Sequence, residues 1–174
     1  MKWLGIAAAV LLLLLVGAAA LIGWRLPQSH RASRTARLRQ PPKAVWPVIA
    51  DYAAAPSWRT DLQRVERLPD QNGHEVWREI DKRGEGMPLE TLESVPPSRL
   101  VRKIADPSLP FGGTWTIEIV PAAGGSAVTI TEDGEVYNPI FRFVSRFLIG
   151  HTRTIDHYLR ALASRFGEPA AQIE

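Results

Sequence analysis

The 174-residue sequence contains no cysteine, which excludes disulfide bonds, thiolate nucleophiles and cysteine-based metal sites. Acidic residues are missing from the first fifty positions, so Asp51 is the first carboxylate in the chain. The sequence also lacks the HExxH, GxSxG, Walker A and GxGxxG motifs. Its histidines are scattered, at His30, His74, His151 and His157. We therefore expect no metal ion, nucleotide or other cofactor.

A strong excess of one charge is also missing, because 21 basic and 18 acidic residues give a formal net charge of only +3. Domains that bind nucleic acid concentrate basic residues on one face or stripe, whereas here both signs are spread through the same region. We therefore expect no nucleic-acid partner. The length is sufficient for one domain and an additional segment.

The additional segment is an uninterrupted run of apolar residues and glycine over residues 3–24. A helix of this length can cross the hydrocarbon core of a bilayer, and Trp3 and Trp24 lie where interfacial tryptophans are common. We predict a transmembrane anchor over residues 1–25 and a linker over residues 26–30. The alternative is a cleaved signal peptide with a processing site near Ala18-Ala19-Ala20. The apolar run favours the anchor because it continues to Trp24, and the apolar region of a signal peptide is usually shorter.

Arginines follow the anchor, whereas Lys2 and the α-amino group are the only positive charges before it. The positive-inside rule then predicts a single-pass membrane protein whose domain lies in the cytoplasm. A folded strand over residues 31–39 would explain the same arginines differently, so the side of the membrane remains open. These arginines are Arg25, Arg31, Arg34, Arg37 and Arg39.

The remaining chain reads as one domain over residues 31–167, with a tail over residues 168–174. A first strand is followed by a short helix over residues 43–51, and Asn72-Gly73 marks a β-hairpin. Asn138-Pro139 begins a long helix over residues 139–166, and Gly167 and Pro169 end it. We predict an α+β fold with an antiparallel sheet of six or seven strands. The expected strands are residues 31–39, 61–68, 74–81, 87–95, 100–105, 113–120 and 126–136.

The predicted C-terminal helix has two different faces at about 100° per residue. The apolar face should lie against the sheet, with His151 near its centre. The opposite face is basic, and it is either a solvated surface or a surface attracted to anionic lipid head groups. The apolar residues are Ile140, Val144, Phe147, Leu148, Ile155, Tyr158, Leu159, Leu162 and Phe166. The basic residues are Arg142, Arg146, Arg153, His157 and Arg160.

Residues 41–51 (PPKAVWPVIAD), followed by Trp58, resemble the opening of the START-like SRPBCC superfamily, above all its polyketide cyclase/dehydrase and lipid-transport group. Residues 96–101 are similar to the turn in the middle of that family's sheet, and residues 113–117 and 128–132 to its last hairpin. The resemblance implies a helix-grip fold, in which a curved antiparallel sheet surrounds the long helix. It also implies a cavity for hydrophobic ligands such as lipids, sterols, polyketides or quinones. Pro47 and the transmembrane run depart from the family pattern.

The candidate ligand-binding residues are those expected to face this cavity. Strand alternation puts Glu132 on one face with Val128 and Ile130, and Trp115 with Ile117. Core packing is the alternative for the aromatic and aliphatic residues, a satisfied core histidine for His151, and a salt bridge to an arginine for Glu132. The complete set is Trp58, Trp77, Trp115, Glu132, Val144, His151, Ile155 and Tyr158.

Three functions fit these features. The first is a membrane-anchored module that binds a hydrophobic small molecule or lipid, and we favour it because the presumed cavity has few polar groups and the anchor suits lipid traffic. The second is a cyclase or dehydratase acting on a polyketide-like or aromatic substrate, with His151 and Glu132 as acid and base. The third is a domain with a filled core that binds partner proteins. We assign no catalytic residue from sequence.

Overall fold

The computed structural model describes residues 2–168 and 173–174. The helices are α1 (Lys2–Arg25), α2 (Pro42–Ala50), α3 (Pro139–Val144) and α4 (Arg153–Arg165), with a 3₁₀ turn at Ala55–Ser57 and a π-helical turn at Ser145–Ile149. The strands are β1 (Ser29–Leu38), β2 (Leu62–Gln71), β3 (His74–Asp81), β4 (Gly86–Val95), β5 (Arg99–Ile104), β6 (Phe111–Ala122) and β7 (Gly125–Val136).

The seven strands form one antiparallel sheet in the order β1-β7-β6-β5-β4-β3-β2. This confirms the predicted α+β class and the predicted number of strands. Asn72 and Gly73 join β2 to β3 with φ angles of 53° and 80°, which is the left-handed backbone that a tight hairpin turn requires. Helix α2 continues through Pro47 to Ala50 and buries Val45 and Ile49.

The hydrophobic core lies between the sheet and α4. Ile155, Leu159 and Leu162 of α4 are completely buried, at the spacing of three to four residues expected for one helix face. They pack in one cluster with inward-facing residues of β6 and β7, including Ile117 and Ile130. Alternation along the strands and helical periodicity along α4 therefore meet in the same core, as predicted.

The prediction of one continuous helix over residues 139–166 was wrong. Helix α3 ends at Val144, a π-helical turn follows, and the backbone leaves helical geometry at Gly150, with φ 79° and ψ 154°. A residue with a side chain is strained in that region of conformational space, so glycine permits the break. As a consequence, Phe147 and Leu148 do not join the apolar face of α4 and are 57% and 72% exposed.

The ends of the domain differ from the prediction in two further details. Strand β1 begins at Ser29, so Ser29 and His30 belong to the sheet rather than to the linker. The backbone of Glu174 exchanges two hydrogen bonds with Thr35, each 3.0 Å, so the last residues of the predicted tail pair with β1. Gly167 follows α4 with φ 67°, as expected for a helix end, while Pro169 lies outside the described residues.

Among the described residues, α1 is the one helix that is long and apolar enough to cross a membrane. Its last turns pack against α3. Gly23 is buried at this contact, where an added Cβ would lie 1.8 Å from the Pro139 carbonyl oxygen. Arg142 of α3 donates hydrogen bonds to the carbonyl oxygens of Gly23 and Leu26, at 3.4 and 3.1 Å. The apolar helix is thus attached to α3, the part of the C-terminal region that precedes the break.

Candidate functional site

A cluster of polar side chains lies where β1, β7 and the chain after Gly150 meet. His30 Nε2 is 2.9 Å from Glu132 Oε1, and the two side chains are only 16% and 20% exposed. Strand register places His30 opposite Gly134. An added Cβ at Gly134 would lie 2.4 Å from the His30 ring, so the missing side chain makes room for the imidazole.

His151 completes this cluster by stacking on His30, with ring centroids 3.8 Å apart and an interplanar angle of 24°. Because the helix is interrupted, His151 lies in the three-residue connection before α4 rather than on a helical face. Partial burial and the neighbouring His30 hold the pKa of His151 below its ordinary value, although Glu132 acts in the opposite direction. The neutral imidazole is therefore favoured, and a neutral imidazole can both donate and accept a hydrogen bond.

Glu132 connects this cluster to the aromatic interior. The indole N–H of Trp115 donates a hydrogen bond of 2.6 Å to Glu132 Oε2. The Trp115 ring in turn meets Tyr158 of α4 edge-on at 5.9 Å, and Tyr158 meets Trp58 in the same way at 5.3 Å. The partners of Glu132 are thus His30 and Trp115 rather than the arginine that the salt-bridge alternative required.

A second buried polar cluster lies on the other side of Tyr158. Glu79 is 6% exposed and accepts hydrogen bonds from Arg59 at 2.6 Å and from Arg102 at 2.8 Å. Burial by itself would raise the pKa of Glu79, but the two guanidinium groups outweigh burial and keep the pKa below its ordinary value. Burial raises the pKa of Tyr158 far above its ordinary value, so this phenol stays protonated.

The donors of this second cluster exceed its acceptors. Trp58 Nε1, Arg59 Nε, and Nε and Nη2 of Arg102 are buried without a hydrogen-bond partner among the described residues. Both arginines also contact aromatic faces: Arg59 is 5.3 Å from the Tyr158 ring centre, and Arg102 is 4.1 Å from the ring centre of Tyr52. Buried donors normally require partners, so an oxygen-rich acceptor, from water or from a ligand, would satisfy this part of the interior.

A cavity of about 310 Å³ lies beside the first cluster, between the start of β1 and the interrupted C-terminal helix. Its wall includes both imidazole rings and several cationic or hydroxyl side chains. Its volume is at the lower end of the range for small-molecule sites. The lining residues are Leu26, Pro27, Gln28, Ser29, His30, Arg31, Val136, Arg142, Ser145, Arg146 and His151.

Of the predicted ligand-binding residues, His151 lines this cavity. Glu132 lies behind the cavity wall, where it contacts His30, and Trp115 in turn contacts Glu132. Trp58, Ile155 and Tyr158 are buried in the core, and Trp77 packs against that core while half-buried. Val144 ends α3 and is half-buried. The predicted set thus combines residues in and behind the cavity wall with residues of the hydrophobic core, two groups with different surroundings.

Four residues of these clusters were missed from sequence: His30, Arg59, Glu79 and Arg102. His30 was assigned to the linker because β1 begins earlier than its alternation suggested. The strand period could have identified two of the others, since Glu79 is two residues from Trp77 and Arg102 is two residues from the buried Leu100. Among the described residues, no group of three or more His, Asp or Glu side chains is placed to hold a metal ion.

The antiparallel sheet packed against a C-terminal helix, with polar groups in the interior, defines a START-like domain. Residues 29–167 match the family described as polyketide cyclase/dehydrase and lipid transport, and the chain belongs to that family. No curated protein matches the chain.

Solved structures at low sequence identity share the fold. A START superfamily protein from Mycobacterium smegmatis is 18% identical with a TM-score of 0.59, and the match covers 78% of this chain and 96% of that one. Zhui aromatase/cyclase from Streptomyces sp. R1128 is 13% identical with a TM-score of 0.60, covering 79% and 93%. A Thermobifida fusca protein is 21% identical with a TM-score of 0.58, covering 81% and 94%. At these identities the similarity concerns the fold alone.

Proposed function

We propose that the protein is a membrane-anchored module that binds a hydrophobic small molecule or lipid with a polar head group. The supporting observation is the cavity of about 310 Å³ that has His30 and His151 in its wall and the end of α1 beside it. A ligand there would be close to the bilayer that α1 enters. The domain would lie in the cytoplasm, in accordance with the arginines that follow α1.

The lining of the cavity suggests the polar part of the ligand. Arg31, Arg142 and Arg146 contribute cationic groups, whereas Leu26 and Val136 contribute apolar surface. Cationic donors and two imidazole rings match an oxygen-rich head group such as a carboxylate or a carbonyl. The apolar part of the ligand would extend toward α1. We therefore expect an amphiphile rather than a purely apolar molecule.

The direct test is photo-crosslinking of the full chain in nanodiscs with a diazirine-labelled fatty acid as the probe. Peptide mass spectrometry should find adducts in residues 26–31 and 142–151, and excess unlabelled fatty acid should suppress them. Ser145→Trp should reduce these adducts at least about tenfold because the indole fills the cavity. Adducts on α1 report contact with bulk lipid and serve as the internal standard.

Ser164→Trp is the matched control, because Ser164 is exposed on α4 and does not line the cavity. This variant should keep wild-type labelling in both segments. Equal labelling in Ser145→Trp and Ser164→Trp, with both variants folded by circular dichroism, would exclude the cavity as the binding site.

An enzyme is the second candidate because titratable side chains lie together beside the cavity. His30 contacts Glu132 directly and stacks on His151, so the predicted acid–base pair of Glu132 and His151 is linked through His30. A binding module returns its ligand unchanged, whereas a cyclase releases a cyclised isomer and a dehydratase a product that has lost water. Mass spectrometry of small molecules co-purifying with wild type and with His30→Gln would distinguish the two functions.

A further inference from the structure

Residues 139–149, which we call the interfacial segment, expose an unusual amount of apolar surface. The segment comprises α3 and the π-helical turn Ser145–Ile149. Phe141, Phe147, Leu148 and Ile149 are 52%, 57%, 72% and 51% exposed. Contiguous exposed apolar side chains of this size mark a contact surface.

The position of the interfacial segment indicates what covers this surface. Helix α3 packs against the last turns of α1, where Gly23 is buried and Ala19 and Ala20 are half-buried. At 1.5 Å per residue, Ala19 lies only about 9 Å before the end of α1 at Arg25. Trp24, at the same end, is 68% exposed and has the amphipathic ring that is common at membrane interfaces.

Arg142 fixes the segment at this depth. Its guanidinium donates to carbonyl oxygens of Gly23, Leu26 and Tyr137, at 3.4, 3.1 and 3.0 Å. Carbonyl groups at a helix C-terminus lack intrahelical partners, so a bound arginine completes the end of α1. Arg142 therefore belongs to the joint between α1 and α3, in contrast to the solvated or lipid-facing position that the sequence suggested.

We propose that the interfacial segment lies in the bilayer surface beside α1, with Phe141, Phe147 and Leu148 in contact with acyl chains. The bilayer is the occupant because the apolar surface is continuous with α1, whose contact with α3 holds the segment at the end of the apolar span. The cavity lies directly behind this segment, since Arg142, Ser145 and Arg146 line it, so its entrance would face the membrane surface. The inference rests on α1 remaining a membrane span, which is part of the proposed function.

The cysteine-free sequence allows a sharp test by single-cysteine labelling of the full chain. Phe141→Cys and Leu148→Cys are labelled with the fluorophore NBD and reconstituted into nanodiscs that contain one copy of the protein. Nitroxide-labelled phosphatidylcholine should then quench at least half of the emission at both positions. Val120→Cys is the matched control, because it is 52% exposed and lies far from the interfacial segment. The opposite end of β6, at Phe111, pairs with Val136 just before that segment and is about 30 Å away along the strand. Emission from the Val120 label should change by less than a tenth.

Leu12→Cys, in the middle of α1, separates failure of this inference from failure of the proposed anchor. Quenching at Leu12 without quenching at Leu148 would overturn the interfacial segment while leaving the anchor intact. Loss of quenching at Leu12 would overturn both. NBD at Leu148 could instead be shielded from water in vesicles with many copies while nitroxide lipid does not quench it in single-copy nanodiscs. In that case a second copy of the chain covers the surface, and the proposal is wrong.

Discussion

At the scale of single residues, Glu79 is the group on which the buried polar interior depends. It pairs with both Arg59 and Arg102 while only 6% of its side chain is exposed. Glu79→Gln should lower the free energy of unfolding by about 3–5 kcal/mol, the cost of breaking a buried ion pair, because Arg102 loses its carboxylate partner and Arg59 keeps only Asp61. Urea unfolding of the full chain in detergent micelles would measure this loss.

Glu66→Gln is the control for this change, because Glu66 pairs with Arg64 at 2.9 Å on the surface and is 38% exposed. Exposed ion pairs contribute about 0–1 kcal/mol.

The pH dependence of stability gives a second test of Glu79. The folded pKa of Glu79 is lowered, so its stabilisation is present above the ordinary value of 4.5 and is lost as the pH falls through the folded pKa. Glu79→Gln should therefore reduce the loss of stability at acidic pH. If Glu79→Gln and Glu66→Gln lowered the free energy of unfolding by similar amounts, this role of Glu79 would be contradicted.

His151 should make the protein less stable at mildly acidic pH. Burial and the stacked His30 lower its folded pKa below 6.5, while Glu132 opposes and Arg146 reinforces this effect. As the pH decreases below 6.5, the unfolded state binds the proton before the folded state does. The free energy of unfolding therefore decreases as the pH decreases in this range. His151→Gln and His151→Leu should both reduce that fall, measured by urea unfolding at a series of pH values.

The two His151 variants also separate a structural role from a ligand role. If His151 anchors a ligand, His151→Leu should match or exceed wild-type stability at neutral pH and lose crosslinking to the fatty-acid probe. If His151 is structural, His151→Leu should lower the free energy of unfolding by about 1–3 kcal/mol, the cost of an unsatisfied buried group. The structure favours the first outcome, because His151 is only half-buried and lines the cavity.

At the scale of elements, the joint between α1 and α3 connects the apolar helix to the domain. Gly23 permits backbone contact there, because a Cβ would lie 1.8 Å from the Pro139 carbonyl oxygen. Gly23→Leu should separate the two helices. Nitroxides at Leu21→Cys and Phe141→Cys, both exposed positions, should then give a longer and broader distance distribution by electron spin resonance.

Gly17→Leu provides the comparison in the same helix, because a Cβ at Gly17 would meet nothing within 4 Å. It should leave the distance distribution between the two nitroxides unchanged. An unchanged distribution in Gly23→Leu would show that the helices do not depend on this close approach.

The break between α3 and α4 is the element that sequence periodicity could not reveal. The apolar pattern continues across Gly150, so Phe147 and Leu148 fit a helix that would bury them against the sheet. A single glycine is compatible with either a helix or a break. The outcome depends on α1, because α3 is held by its contact with Gly23 and by the bonds of Arg142, contacts more than a hundred residues apart in the chain.

At the scale of the whole molecule, we expect α1 to remain in the mature protein. The intact mass of the purified protein should include residues 2–25, and alkaline carbonate should leave the protein in the membrane fraction. A soluble product that begins near Leu21 would indicate a cleaved signal peptide instead. For the orientation, Ser164→Cys should react with a membrane-impermeant maleimide only after cells are broken, if the domain is cytoplasmic.

The sequence by itself determined the architecture, because local signals are repeated along the chain. Alternation predicted the seven strands, Asn72-Gly73 predicted a hairpin, and the positions of Ile155, Leu159 and Leu162 predicted the buried face of α4. Strand alternation also placed Glu132 on one face with Val128 and Ile130.

Only the tertiary structure decided which polar residues meet. Glu79 accepts hydrogen bonds from Arg59 and Arg102, which belong to different elements. Glu132 of β7 contacts His30 of β1 and Trp115 of β6, the strands on either side of β7. Such partnerships depend on strand register and on the room left by Gly134, whereas sequence patterns describe one segment at a time. Likewise, apolar periodicity indicates that a side chain avoids water, but only packing separates Ile155 in the core from the exposed Leu148.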